Sequence, residues 1–322
     1  MAGFSTQNNE HLIRSNLWSS QLKEVLEDEL FAMRYVNMIT DFPDGETLNI
    51  PSIGQAEVLD YVEGQAIRYT AMDTGNFTFS INKYKSSGTF ITNKMKQDSF
   101  YMSQLVSSFV PKQHRAIMKA IEVDVLAIGP EGQTASATNA INGANHRWVG
   151  SGTNETLAPQ DFALALYALQ KANVPATNLV AIVDPSVEYA LSTMTNLVNV
   201  SNNPRWEGII ASGMSTGMRF IKNIYGFDVY TSMNLRKHTA NETIGSRTVT
   251  YAAATPPVAN LFFSAASDVL PFVGQIRQAP KVDSEYNKDL QQEEYVTTCR
   301  YGFKLYRPEN LAVVLTDTDQ VA

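Results

Sequence analysis

Residues 47–97 contain two strand-like segments on either side of a polar stretch. In the second segment Phe77, Phe79 and Ile81 alternate with polar residues, which is the period of a half-buried strand. The alternation changes phase at residues 82–83, and a bulge or a strong twist explains such a change. The pattern predicts a two-stranded arm some fifty residues long. Because such an arm is marginally stable alone in water, it must lie on its own body or on a neighbouring molecule.

Apolar residues at helical spacing predict helices on both sides of this arm. An amphipathic helix capped by Asn16 is predicted from Leu17 onwards. A short helix is predicted over 98–108, and a second helix is predicted to begin at Pro111 and to end at residues 129–130. The second helix carries an apolar stripe at Ile117, Ile121, Val125 and Ile128.

The remaining chain mixes strand and helix patterns. Residues 129–156 and 234–257 are polar and predict long loops. An α/β lobe is predicted from Leu157, with a short buried strand at 179–183. The clearest alternation in the chain extends from Tyr295 to Leu305 and predicts a long strand near the C-terminus.

Composition limits the kinds of partner that the chain can bind. The net charge is −7 and no run of basic residues occurs, whereas a protein that holds nucleic acid by its phosphates has a basic stripe. Charged residues make up only 18%, which fits both a protein covered by partners and an enzyme with a large core. The single cysteine, Cys299, indicates a reducing compartment. No signal peptide and no membrane span are predicted.

One sequence pattern is typical of a hydrolase. Residues 213–217 match G-x-S-x-G, the nucleophile elbow in which Ser215 would attack an ester. The elbow requires a helix directly after the serine, but residues 218–224 predict a strand. Asp228 and His238 follow in the right order but too close together for separate loops of a large sheet. A glycine-rich turn is the favoured interpretation, and a serine hydrolase using Ser215 stays a remote alternative.

Metal and cofactor sites have little support. The four histidines are isolated, one cysteine cannot build a zinc site, and no phosphate-binding glycine motif follows a strand. Residues 146–148, with the sequence HRW, could contact a ligand, although a tryptophan that anchors a loop explains them more simply. We therefore expect no catalytic residue, no cofactor and no metal.

Several short segments together resemble one protein family. Taken in order they are VEGQAI with FTFSINKYKSSGTFITNKMKQDS, KAIEVDVLAIG, LVAIVDPSVEYAL, IYGFDVYTSMNL and YGFKLYRPENLAVVL. Their order and spacing over the whole chain are similar to those of the major capsid proteins of tailed bacteriophages, which have the Hong Kong 97-type capsid fold.

This resemblance implies an α+β fold with defined parts. Residues 1–46 would be an N-terminal arm and 47–97 an extended loop. A peripheral domain with a long spine helix would comprise 98–156 and 256–322, and 157–255 would form an axial domain. Phe77, Phe79 and Ile81 would then contact a neighbouring subunit, because the extended loop would lie over it.

The resemblance also implies a function and partners. The chain would be a non-enzymatic structural protein that assembles into the hexamers and pentamers of an icosahedral shell around packaged double-stranded DNA, in the host bacterial cytoplasm. It would bind copies of itself, a separate scaffolding protein, a portal protein and a decoration protein, without specific DNA binding and without a membrane. No motif selects Lys83, Lys85 or Lys94 as a cross-linking residue. An encapsulin-like nanocompartment of the same fold is the alternative.

Overall fold

The structure, a computed structural model, covers most of the chain after its first part. It describes residues 30–40, 45, 47–54, 58–61, 63–66, 74–98, 102–134, 137–193 and 220–318. The predicted helix from Leu17 and the turn that contains Ser215 lie outside these residues.

The described residues form four α-helices, sixteen strands and short 3-10 turns. The helices are α1 (Asn93–Asp98), α2 (Met102–Gly132), α3 (Pro159–Lys171) and α4 (Pro185–Thr193). The first eight strands are β1 (Val36–Met38), β2 (Thr47–Ile53), β3 (Thr74–Ser80), β4 (Lys83–Thr92), β5 (Ala140–Ile141), β6 (Ala144–Asn145), β7 (Arg147–Val149) and β8 (Leu179–Val183). The other eight are β9 (Phe220–Ile224), β10 (Phe227–Thr231), β11 (Glu242–Ile244), β12 (Arg247–Val249), β13 (Val258–Ser264), β14 (Phe272–Asn287), β15 (Gln292–Leu305) and β16 (Ala312–Thr316).

A six-stranded mixed sheet, ordered β7-β16-β13-β8-β10-β9, forms the centre of the body. The predicted strand at 179–183 is confirmed as β8, whose five residues are all buried because both faces of the sheet are covered. Residues Phe162 of α3 and Val187 of α4 pack on one face. The apolar stripe of α2 packs on the other face beside Val180 and Ile182.

Helix α2 is one continuous helix of 31 residues, so the expected start of a new helix at Pro111 is wrong. A proline removes one backbone hydrogen bond, and α2 continues through it. The expected end at residues 129–130 is also wrong, since α2 extends to Gly132. Gly129 instead serves close packing, because an added Cβ there would lie 2.9 Å from Leu311. The apolar stripe is confirmed, since Ile117, Ile121 and Val125 are at most 3% exposed.

A four-stranded sheet, ordered β1-β14-β15-β4, forms the periphery of the body. Strands β14 and β15 pair antiparallel along most of their length, with register irregularities between Ile276 and Lys281. The predicted alternation in β15 is confirmed, because Cys299 and Tyr301 are fully buried while Thr298 and Arg300 keep partial exposure. Tyr301 belongs to the same core cluster as the stripe of α2, so this helix packs between the two sheets.

Both regions expected to be long loops contain short strands. Residues 129–156 carry the hairpin β5–β6 and the strand β7, and residues 234–257 carry the hairpin β11–β12. Strands of two or three residues leave no measurable alternation. The β5–β6 turn nevertheless had a signal, because Asn142 and Gly143 both adopt positive φ, as an Asn-Gly hairpin turn requires.

The predicted two-stranded arm is shorter than expected. Strand β2 pairs with β3, from Thr47 opposite Ser80 to Ile53 opposite Thr74. Strand β4 does not continue this hairpin but pairs with β15 of the body. The six-stranded sheet also combines β8, β9 and β10, from the range predicted as axial, with β7, β13 and β16 from the ranges predicted as peripheral. The boundaries of the arm, the loop and the two domains stay predictions.

Candidate functional site

The turning point between the β2–β3 hairpin and the body lies at residues Ile81–Asn82, which we call the hinge. The change of phase in the sequence is therefore a real break between two strands. The hinge crosses β15 at Gly302, where an added Cβ would lie 2.5 Å from the carbonyl oxygen of Ser80 and 2.9 Å from the Cα of Ile81. Only a glycine at this position lets the two backbones approach so closely.

A small apolar cluster anchors the hairpin to the body. Phe79, Ile81 and Val273 are 0%, 1% and 3% exposed and pack together. Partly buried side chains surround them, namely Ile39, Leu48, Phe77 and Tyr306. Burying side chains of this size stabilises the fold by about 1.5–3 kcal/mol each. We call these seven residues the base cluster.

The three residues predicted to contact a neighbouring subunit therefore have partners in their own chain. Phe79 and Ile81 lie inside the base cluster, and Phe77 keeps partial exposure at its margin. The Phe77 ring meets Tyr306 edge to face, with 5.0 Å between ring centroids. The ammonium of Lys304 lies 4.9 Å from the centre of the Phe77 ring. Contact of these three residues with another subunit stays a prediction.

Charged groups fix the start of β4 to the spine helix α2. Lys83 Nζ lies 2.9 Å from Asp124 Oδ1, and Lys85 Nζ lies 3.9 Å from Asp124 Oδ2. The hydroxyl of Tyr301 donates a hydrogen bond of 2.5 Å to Asp124 Oδ2. Burial, and then this bond to a carboxylate, raise the pKa of Tyr301. The hydroxyl consequently stays protonated and continues to donate to Asp124.

A second carboxylate of α2 binds the chain where the described part of the N-terminal region begins. Glu122 is 1% exposed and accepts two backbone hydrogen bonds, from Phe31 N at 3.2 Å and from Ala32 N at 2.8 Å. Burial raises the pKa of Glu122, and the two hydrogen bonds oppose that effect only in part. Residues 31–32 are thus attached to the same helix as the start of β4, two residues away from Asp124.

The far end of the hairpin is exposed and apolar. We call its described residues 58–61 and 63–66 the loop tip. Val58 is 94% exposed, Tyr61 73% and Leu59 41%. Single exposed apolar residues are ordinary on protein surfaces, but a group of them on a projecting hairpin indicates a contact site.

A buried polar network supports the central body. Arg147 Nη2 lies 2.5 Å from Glu242 Oε1, and His238 Nδ1 lies 2.9 Å from Glu242 Oε2. Burial lowers the pKa of His238, and the two nearby arginines lower it further against the opposing effect of Glu242. The indole of Trp148 donates to Asp161 Oδ1 at 3.1 Å and packs in the core. These contacts support the interpretation of residues 146–148 as a structural anchor.

Among the described residues, no three His, Cys, Asp or Glu side chains are grouped so that they could hold a metal ion. No helix among them has the length and hydropathy needed to cross a bilayer. Ser215 is not described, but the strand β9 begins five residues after it, at Phe220, where a nucleophile elbow would continue as a helix.

Solved structures with the same fold come from phage capsids. The capsid of cyanophage P-SCSP1u has 16% identity and a TM-score of 0.71, covering 97% of this chain and 94% of its own. A chain of Mycobacterium phage Che8 has 18% identity and a TM-score of 0.67, covering 94% and 96%. The capsid of cyanophage Pam1 has 13% identity and a TM-score of 0.66, covering 99% of both chains. A search of the curated proteins gave no match.

The projecting hairpin, the long helix and the two sheets form the Hong Kong 97-type capsid fold, so the predicted α+β fold class is confirmed. A family model described as phage capsid protein matches residues 76–314. The chain belongs to this phage capsid protein family. It is a structural protein of the virion shell and associates with copies of itself there.

Proposed function

We propose that this chain builds an icosahedral shell of hexamers and pentamers around packaged double-stranded DNA. The observation that carries the proposal is a hairpin that projects from the body, is anchored at its base and ends in exposed apolar residues. An exposed tip of this kind costs free energy in water, and a neighbouring subunit that covers it removes that cost. Closed symmetry then adds many small contacts into a stable shell.

The anchoring contacts suit a subunit that must hold its loop in a fixed direction before assembly. The base cluster and the ion pairs of Asp124 hold the near end of the hairpin on α2 and β15. The tip is therefore presented to a neighbour with part of its conformational freedom already removed. Binding by a preorganised segment costs less entropy than binding by a disordered one.

The remaining parts of the proposal follow from the family and from charge. Assembly would take place in the host bacterial cytoplasm, with a separate scaffolding protein, a portal protein and a decoration protein. The net charge of −7 supports enclosure of DNA without specific binding, because an acidic wall repels phosphates. The chain would have no enzymatic role.

Deletion of residues 60–75 tests the proposal directly. The shortened chain should fold, because the body retains the base cluster and both sheets, but it should not form closed shells. Electron microscopy of lysates would count the shells, and circular dichroism would confirm that the purified chain is folded. Alanine substitution of the exposed turn at 288–290 is the control and should leave shells intact. Normal closed shells from the deleted chain would refute the assigned role of the loop.

A further inference from the structure

A cleft of about 350 Å³ opens beside the hinge, between the spine helix and residues 233–237. Its lining is partly apolar, with Val123 40% exposed on α2 and Met233 55% exposed on the facing segment, and we call these two residues its floor and its charged residues its rim. Pockets for small ligands span roughly 300–1,000 Å³, so this volume suits one or two side chains. The ion pair of Lys83 and Asp124, described above, forms one end of the cleft.

The rim of the cleft is cation-rich in a chain whose net charge is −7. Three cations and two acids line it, namely Lys83, Arg236, Lys237, Asp124 and Glu131. Both acids already have cationic partners, because Lys83 pairs with Asp124 and Arg236 pairs with Glu131. Lys237 is exposed at the rim. The cleft therefore favours an acidic partner that also carries apolar side chains.

The loop tip has these two properties. Its exposed apolar residues Val58 and Tyr61 flank Asp60, and Glu63 follows. The sequence between β2 and β3 contains four acids and one base, so it is acidic overall. Apolar side chains for the floor and carboxylates for the rim thus lie within six residues of one another.

The tip of the same chain does not fill this cleft. Strand β3 has seven residues, which place the tip about 20 Å from the hinge at roughly 3.3 Å per residue. The cleft lies beside the hinge, since Lys83 lines it. Val58 and Tyr61 are 94% and 73% exposed, so the tip does not occupy the cleft of its own chain.

We infer that the cleft between α2 and residues 233–237 receives the loop tip of a neighbouring copy of this chain. Tyr61 and Val58 cover Val123 and Met233, and Asp60 and Glu63 approach the cationic rim. This inference rests on the proposed assembly through the extended loop, and it assigns the surface on which the loop ends.

Charge reversal tests the rim. Lys237→Glu should reduce the yield of closed shells by about threefold or more, because a like charge at an interface opposes association. Adding Asp60→Lys or Glu63→Lys to that variant should restore part of the yield. Lys288→Glu, which makes the same charge change on the exposed β14–β15 turn, is the matched control and should assemble normally. Wild-type yield from Lys237→Glu would overturn the inference.

Cross-linking tests the location independently of yield. Shells are co-assembled from Tyr61→Cys chains and Met233→Cys chains and treated with a short bismaleimide; the native Cys299 is buried and should not react. A dimer containing one chain of each kind is expected, at several times the level obtained when Tyr225→Cys replaces Met233→Cys. Equal dimer levels in both mixtures would overturn the cleft as the receiving surface.

The two proposals fail in different ways. Closed shells from the chain without residues 60–75 would remove the role of the loop in assembly. If that deletion abolishes shells while Lys237→Glu and the cross-link show no effect, the loop assembles the shell but ends on a different surface.

Discussion

At the scale of single residues, Gly302 shows how one position permits the whole arrangement of the loop. The backbone of Ser80 and Ile81 lies directly on this glycine, and the chain turns there from the hairpin into β4. The sequence showed the turning point, because the alternation changes phase there. It could not show Gly302 as the contact, since 220 residues separate the two partners and a strand glycine has several possible reasons.

Gly302→Ala should lower the free energy of unfolding by roughly 1–3 kcal/mol, as other overpacking changes do. The added Cβ would lie 2.5 Å from the carbonyl oxygen of Ser80, so the hinge must move. Chemical denaturation measures the change. Gly88→Ala is the control in the same sheet, because its added Cβ meets nothing nearer than 3.6 Å. Equal stability of the two variants would contradict this account of the hinge.

At the scale of elements, helix α2 joins the N-terminal region, the extended loop and both sheets. Its stripe was predictable from spacing, and Ile117, Ile121 and Val125 occupy the core as expected. The roles of Glu122 and Asp124 were not predictable, because an acid on a helix is most often solvated. Only the tertiary structure brings the amides of Phe31 and Ala32 to Glu122.

Glu122→Gln should alter the pH dependence of stability. In the wild type the folded state holds the Glu122 proton to higher pH than the unfolded state does, because burial raises the folded pKa. The free energy of unfolding should therefore fall as pH rises from about 4.5 through the raised pKa. The side-chain amide of the introduced glutamine does not titrate, so this part of the pH dependence of the free energy of unfolding should disappear.

The measurement is chemical denaturation at a series of pH values from about 4.5 to 8. Glu285→Gln, at an exposed position of β14, serves as the control and should keep the wild-type slope. An unchanged slope in Glu122→Gln would show that the titration of this carboxyl does not contribute to stability.

At the scale of the whole molecule, the order of elements was predictable and the partition into sheets was not. The resemblance gave the fold class, and the long alternating strand from Tyr295 was confirmed as part of β15. The pairing of β8 with β13 was invisible, since it joins residues more than seventy positions apart. Short hairpins such as β11–β12 were missed because three-residue strands have no period to detect.

This interleaving predicts that the body unfolds as one unit. The central sheet takes strands from both predicted domains, and α2 shares a core with both sheets. Neither predicted domain can unfold without removing strands from the central sheet that it shares with the other. Scanning calorimetry of the deletion variant that lacks residues 60–75 should show one transition, with equal calorimetric and van't Hoff enthalpies. Two separate transitions would contradict the prediction.

Because the hinge is short, a small rotation there produces a large displacement at the far end of the hairpin. The chain passes from β3 to β4 within two residues, while the tip lies about 20 Å away. A tilt of about 10° at the hinge would therefore move the tip by roughly 3–4 Å, close to the rise of one strand residue. A small rearrangement on the spine helix around Asp124 would thus be amplified at the far end of the loop. Subunits of identical sequence could in this way meet neighbours at slightly different angles.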